Sequence, residues 1–449
     1  MRVAVVGAGP AGVRAVEALV RAGLRPTWIE EAPDGGGRIF QRPPPCFRRD
    51  ARALYGADAR AARALHATLD ALKPRCDWRP DTLVWNIRAG GGALDVLAGG
   101  RHEAVPYDAL ILCTGAMDRV LPMPGWTLPG VTTLGAAQIA LKAQGVAVGA
   151  RPVFVGTGPL LWLTALHYAR AGAPPPLVLD TTRFATKLRA APRLIANLPL
   201  FLRGLRYLAE LRLRGVPMAE GAVPLAIEGT GHAQALRWRD TAWREHTTDC
   251  DAVAIGFGLK PEAQLADLAG VSFRFDAAQR NWVPVRDIAG RTALRGVYLA
   301  GDGAGIGGAA VAELAGERTA LALLEDHGLP VDPVPRAHLD GRLRAEAQFR
   351  AALENAFPYP AHLARAMPDA TILCRCESIT AGELRAAARE GAPEVNRAKA
   401  LSRVGMGRCQ GRVCGPPAAE MLAGALSLPI DQVGRLRSQM PVKPIPMPA

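Results

Sequence analysis

The chain has 449 residues, 49% hydrophobic and 21% charged, the profile of a soluble globular protein with room for several domains; a disordered or fibrous chain is excluded. Its formal net charge of +13 permits an acidic partner, but aromatics make up only 5% and no helix-turn-helix, zinc-finger or base-stacking pattern is present, so nucleic acid is not the expected partner. No apolar run is long enough to span a bilayer, and the chain opens directly on a strand with no room for a signal peptide, so the expected location is the cytoplasm, where thiols stay reduced.

Residues 3–31 read strand, glycine turn, helix, strand. The apolar run Val3 to Val6 leads into Gly7-Ala8-Gly9-Pro10-Ala11-Gly12, a helical stretch follows from Ala11 to Ala22, and Thr27-Trp28-Ile29 ends on Glu30. This is a dinucleotide fingerprint in its required context: Gly7 for the tight turn, Gly9 for close approach of a pyrophosphate, Gly12 for helix–strand packing. The helix N-terminus offers free N–H groups to the phosphates, and Glu30 stands where a carboxylate would hold ribose hydroxyls. Two later strands end in turns of the same kind. Tyr107 to Cys113 runs into Thr114-Gly115, and Gly296 to Ala300 runs into Gly301-Asp302, with a helix expected from Ala309 to Leu324. The first fingerprint by itself fits either FAD or NAD⁺.

Between these segments lies an insert with a second, degraded fingerprint. Pro152 to Val155 leads to Gly156-Thr157-Gly158-Pro159-Leu160-Leu161, a helix to Ala171, and Leu177 to Asp180. Leu161 replaces the third glycine, which argues against NAD(P) here, while Asp180 keeps it open as a ribose-binding acid. From Thr181 to Gly215 there are eight basic residues and one acid, Glu210, either a solvated helical face or a docking surface for an acidic partner or an adenylate phosphate. Cys46, Cys76, Cys113 and Cys250 are scattered, and no disulfide-reductase Cys-x-x-Cys occurs in the flavin half. None of the eight His suggests a metal or a nucleophile's base, and no acid–base pair is devoted to a substrate.

A proline-rich break at 328–336 and a helical connector, about Leu339 to Asn355, lead to a cysteine module. Cys374-Arg375-Cys376-Glu377, an Ala-rich helix from Ala381 to Glu390, and Cys409-Gln410-Gly411-Arg412-Val413-Cys414 place half of the cysteines within 41 residues. Thiolates at these spacings can converge on a 2Fe–2S cluster or a Zn²⁺ ion, and four unliganded thiols are the bland reading. Arg375, Arg408 and Arg412 flank the ligands and would offset the charge of a four-thiolate cluster.

The three fingerprints resemble those of the two-dinucleotide-binding-domain, glutathione-reductase-like flavoproteins, in which the Gly-Asp carboxylate binds the ribityl chain of FAD. The run Ser402 to Cys414, with Cys-Arg-Cys-Glu before it, resembles the bacterioferritin-associated-ferredoxin-like 2Fe–2S module. More closely, nearly the whole chain resembles the subunits that fuse this module to a flavoprotein in opine (octopine/nopaline) oxidases, hydrogen cyanide synthase and D-hydroxyproline and proline dehydrogenases. Gly156 to Leu161 and Pro441-Val442-Lys443-Pro444 share in that resemblance, and Arg38 departs from the usual Gln.

The resemblance implies an α/β flavoprotein with a small C-terminal helical iron–sulfur domain. Its parts are an FAD-binding domain at 1–119 and 257–328, an NAD(P)-binding-like insert at 120–256, a connector at 329–370, a 2Fe–2S domain at 371–430 and a Pro-rich tail at 431–449. Flavin-site residues would be Gly7, Gly9, Pro10, Ala11, Gly12, Glu30, Glu31, Gly37, Arg38, Val84, Thr114, Gly115, Gly301 and Asp302; cluster ligands would be Cys374, Cys376, Cys409 and Cys414. The implied partner is a FAD-containing amine-oxidising subunit like D-amino-acid and sarcosine oxidases. A small ferredoxin-like subunit, an FMN at a subunit interface and peripheral contact with the inner membrane face are further features such complexes allow. A self-sufficient NAD(P)H-dependent reductase and a non-catalytic assembly subunit with structural zinc are the competing expectations.

Overall fold

The computed structural model describes residues 1–47, 49–88 and 90–446. Two five-stranded parallel sheets dominate it; four strands of each share one order, while the fifth, an edge strand, comes last in the chain in the first sheet and first in the second. In the first, the order is Val297–Leu299, Ala109–Leu112, Val3–Val6, Thr27–Ile29, Asp77–Arg79. In the second it is Val131–Thr133, Ala252–Phe257, Pro152–Thr157, Val178–Asp180, Met218–Glu220. Each central strand is followed by a twelve-residue helix with proline in its first turn, Pro10–Arg21 or Pro159–Arg170. The strands Asp77–Arg79 and Met218–Glu220 are each followed by an antiparallel three-stranded meander, at 82–106 or 223–249. The central strands are unbroken apolar runs because helices cover both faces of a parallel sheet.

The second fold is inserted between the fourth and fifth strands of the first. The chain leaves and returns through an antiparallel pair, Ala116–Asp118 with Leu259–Pro261. The last strand of the first sheet then runs into Gly301-Asp302 and the helix Ala309–Asp326, which packs along Pro10–Arg21.

The connector differs from its sequence expectation. Its helix runs from Pro333 to Ala356 and so begins inside the proline-rich stretch. Asp332 caps it through the Val334 N–H, and Pro333 sits in the first turn, where a missing N–H costs no helical bond. The C-terminal helices Ala381–Arg389, Val395–Ser402 and Gly415–Leu426 form a small unit that shares one apolar core with the insert sheet. Among the described residues, no helix is long and apolar enough to cross a membrane.

Candidate functional site

The first nucleotide turn is built by close backbone approach. A Cβ at Gly12 would lie 1.9 Å from the Gly7 carbonyl oxygen, so no other residue lets the helix Pro10–Arg21 start this near the strand. Gly37 faces Gly9 across the opening of the turn. Ala11 packs under Gly301 and against the helix Ala309–Asp326. The Glu30 carboxylate accepts the N–H groups of Ala8 (2.6 Å) and Ala32 (3.0 Å), which fixes it at the mouth of the turn. Burial pushes this carboxyl up, opposed by those two donors and by the charge of Arg38.

Asp302 sits below the helix Ala309–Asp326. Its Oδ1 accepts the Gly307 and Gly308 N–H groups, both at 2.8 Å, which leaves Oδ2 with no hydrogen bond among the described residues. A fixed carboxylate with a free oxygen beside a helix N-terminus suits a polyol chain and a flavin edge. Thr114 and Gly115 lie across from it, near Gly303. Val84 is buried in the core under the meander, and Glu31 is exposed and ion-paired with Lys443 from the C-terminal tail. The structure thus groups Gly7 to Gly12, Glu30, Gly37 and Arg38 at one opening, and Thr114, Gly115, Gly301 and Asp302 beside it.

The cysteines occupy the turns of the C-terminal unit. Cys374 ends the strand Ile372–Cys374, and Cys414 precedes the helix Gly415–Leu426. Gly407 lets its loop cross Cys376, because a Cβ there would lie 2.2 Å from the Cys376 Cβ. The four thiols lie close enough for each to feel the others' charge: Cys414 is affected by Cys374, Cys409 and Cys376, and Cys376 by Cys409 and Cys374. No three His, Cys, Asp or Glu among the described residues gather as the shell of a single ion. Four thiolates in these loops suit a 2Fe–2S cluster or a Zn²⁺ ion. The hydrogen bond from Cys414, with the N–H groups of Gly405, Glu377 and Cys376, pulls Cys374 down to about 6 despite its burial. By contrast, burial pushes Cys113 up to about 12 and Cys76 and Cys250 to about 11, so these are inert core thiols.

The expected cationic flank of the cluster is changed by the fold. Arg412 is spent in a bidentate pair with Glu262 (2.8 and 3.2 Å), while Arg375 and Arg408 are exposed on turns. Glu262 is the residue that sequence reasoning missed. Its backbone N–H donates to the Gly115 carbonyl and its own carbonyl accepts the Thr114 hydroxyl, so one residue ties the flavin-side turn to the cluster loop. Its only signal in the sequence is a charged pair, Lys260-Pro261-Glu262, where the chain returns from the insert. The tail adds further ties: Arg435 to Asp267, the Val442 N–H to the Trp85 carbonyl, and Arg412 to the Val442 carbonyl.

In the insert, Asp180 is fully buried and ion-paired with Lys187 at 2.7 Å, and Lys187 also reaches Glu220 at 3.1 Å. Leu161 is buried in the insert core. The acid that kept a ribose site open is therefore consumed by a structural pair.

Residues 1–321 match the pyridine nucleotide-disulphide oxidoreductase family, and residues 372–424, with all four cysteines, match the BFD-like 2Fe–2S binding domain. Fold and site together define a flavoprotein of the first family carrying the second as a fused domain, with FAD and a 2Fe–2S cluster as its cofactors. The chain is 36% identical to an opine oxidase subunit of Agrobacterium tumefaciens, over 98% of this chain and 89% of that one. It is 32% identical to the HcnB subunit of hydrogen cyanide synthase of Pseudomonas aeruginosa, over 100% and 98%. The solved L-proline dehydrogenase from P. horikoshii shares the fold over 99% of this chain and 78% of that one, with a TM-score of 0.72 at 18% identity. The chain belongs to the family of these opine oxidase and hydrogen cyanide synthase subunits.

Proposed function

We propose that this chain is the electron-transferring flavin and iron–sulfur subunit of a heteromeric dehydrogenase acting on C–N bonds of opines, D-amino acids, hydroxyproline or glycine. The partner would be a FAD subunit that oxidises the substrate, and the complex would lie in the cytoplasm, at most peripheral to the membrane. The observation that carries this reading is Glu262, which bonds the Thr114-Gly115 turn through its backbone and Arg412 of the cluster loop through its carboxylate. Such a link holds two redox sites at fixed spacing, which an electron relay needs and a structural subunit does not.

FAD, when bound, exchanges electrons in pairs or singly, and the 2Fe–2S cluster exchanges them one at a time. The residues of this chain supply the seats. In this reading the Gly7 to Gly12 turn and the helix behind it hold the pyrophosphate, Glu30 the adenosine ribose, and the free oxygen of Asp302 the ribityl chain. Cys374, Cys376, Cys409 and Cys414 hold the cluster, with Cys376 and Cys409 on its more exposed side. The Lys187–Asp180 pair and Leu161 support a route in which electrons do not enter from NAD(P)H at the insert. The helices Phe184–Leu194 and Leu198–Leu213 expose Phe184, Leu188, Leu202, Leu205 and Leu213 beside Arg189, Arg193 and Arg206. An uncovered apolar face of this kind supports a contact with another subunit.

The test is a dye-linked dehydrogenase assay of the chain expressed alone and with a candidate FAD subunit, across opines, proline, hydroxyproline, glycine and sarcosine. Turnover is expected only in the complex, and the lone chain should carry FAD, iron and acid-labile sulfide. Comparable turnover by the lone chain would place the substrate site here and overturn the reading.

A further inference from the structure

A cavity of about 140 Å³ lies between the flavin fold and the cluster domain. One wall is the return strand from the insert, together with the hairpin of Phe273–Asp276 and Asn281–Pro284. The other is the loop at Gln410 to Arg412 and the start of the helix Gly415–Leu426. None of the four clustered cysteines and none of the flavin-turn residues lines it. The chain has only 10 Phe, 8 Trp and 6 Tyr, yet Phe273, Phe275, Trp282 and Tyr359 all line this one space. Phe275 and Trp282 stand opposite each other in the hairpin, with ring centroids 5.8 Å apart.

Polar atoms on the same walls are buried without a hydrogen-bond partner among the described residues: Arg119 Nε, Trp282 Nε1, the Tyr359 hydroxyl, Gln264 Oε1 and Gln410 Oε1. A native fold leaves few such groups unpaired, and their gathering on one cavity is what a ligand site shows. They divide by chemistry. Arg119 Nε and Trp282 Nε1 only donate, and the Tyr359 hydroxyl can donate. Gln264 gives its amide N–H to the Gln410 carbonyl at 3.4 Å, and Gln410 gives its own to the Pro441 carbonyl, so each Oε1 is left as an acceptor.

The charges on the walls are unequally spent. Arg280, Arg412 and Arg435 are each bonded to a carboxylate, those of Glu420, Glu262 and Asp267. Arg119 is 5% exposed and gives one guanidinium nitrogen to the Leu259 and Gln279 carbonyls, and it lies over the Tyr359 ring. Among the described residues it has no carboxylate partner. Enclosing a guanidinium without an anion is costly, and a carboxylate is its planar complement. Size narrows the choice further, since an apolar cavity of about 150 Å³ holds one benzene ring.

We propose that this cavity binds a small ring carboxylate, with its carboxylate on Arg119, Trp282 and Tyr359, its flat ring among the aromatic walls, and a ring N–H or O–H on Gln264 or Gln410. The site is separate from the seats of FAD and the cluster, and it does not depend on the proposed electron relay. No covalent bond is made or broken. Because the two walls belong to different domains, an occupant stabilises their junction by mass action.

The experiment is isothermal titration calorimetry of the full-length chain, loaded with FAD and cluster, against pyrrole-2-carboxylate, furan-2-carboxylate and pyrrole-2-carboxamide, with thermal unfolding as a second readout. Pyrrole-2-carboxylate should bind saturably, one per chain, and raise the unfolding midpoint. The carboxamide, which lacks the charge, should bind at least about tenfold more weakly, the loss expected of a hydrogen bond to a charged group. Furan-2-carboxylate, which lacks the N–H, should fall between them. Trp282→Phe and Tyr359→Phe keep the ring and remove only the donor; each should weaken binding of pyrrole-2-carboxylate about tenfold, with FAD and iron per chain unchanged. Arg119→Met should abolish binding, and if that variant fails to fold, the two ring variants decide. No saturable binding of either acid at millimolar concentration overturns the proposal. So does equal affinity for acid and carboxamide, or acid binding that survives intact in the Trp282→Phe, Tyr359→Phe double variant. Turnover enters none of these measurements, so this site and the relay reading fail separately.

Discussion

The two nucleotide folds share the order of four strands and the same helix length, yet their turns are filled differently. In the first, Gly12 lets the helix close on the Gly7 carbonyl, and Glu30 stands at the mouth of the turn held by two backbone donors. In the insert, Leu161 stands at the place of Gly12 and packs into the core, while Asp180, at the place of Glu30, is sealed under Lys187. In the insert both positions carry side chains that are buried in the scaffold and add to its packing. The insert has become a platform: its sheet shares an apolar core with the cluster domain, and Trp126 donates to the Ile372 carbonyl two residues before Cys374.

This contrast can be broken most severely by moving the insert's residue into the first fold. Gly12→Leu should abolish flavin binding, because its Cβ alone would strike the Gly7 carbonyl. The flavin-to-protein absorbance ratio of the purified chain measures it, and stoichiometric FAD in the variant would mean that the two turns are equivalent. The next effect is one of stability. Lys187→Met leaves Asp180 buried without its cation and should cost about 3–5 kcal/mol in urea unfolding. The double variant Lys187→Met, Asp180→Leu should recover much of that loss. A single variant as stable as wild type would show that the pair is not what seals the insert. The smallest of the three is Asp302→Ala, expected to weaken FAD binding by about 1.5–3 kcal/mol, the worth of a hydrogen bond to a charged group. Equilibrium dialysis against free FAD reads it, and unchanged affinity would remove Asp302 from the flavin site.

Much of the site is legible in the sequence because its signals are local. Gly7 to Gly12, Gly301-Asp302 and the cysteine runs 374–376 and 409–414 are short segments whose backbone geometry or thiol spacing is set by neighbours in sequence; they mark a nucleotide turn and a four-thiolate site, and the resemblance of the whole chain to a family names FAD and the 2Fe–2S cluster. The start of the connector is not legible in the same way: its prolines read as a break, whereas Asp332 makes them a helix beginning. Other features have no local signal. Glu262 and Arg412 are 150 residues apart, and neither lies in a pattern that points to the other. Asp180 reads as a ribose acid in the sequence, and only the fold brings Lys187, from the next helix, back over it.

The sequence by itself determined where this chain can hold a nucleotide and a thiolate-bound metal, since glycine turns and cysteine spacings act through bonds and close backbone contacts that any fold containing them must respect. Only the tertiary structure decided how the two cofactor sites are joined and which charges face them. Ion pairs depend on which distant segments meet: Arg412 is neutral in effect because Glu262, 150 residues away, reaches it. Electrostatics inside a protein is a property of the assembled neighbourhood, and a linear chain does not display its neighbourhoods.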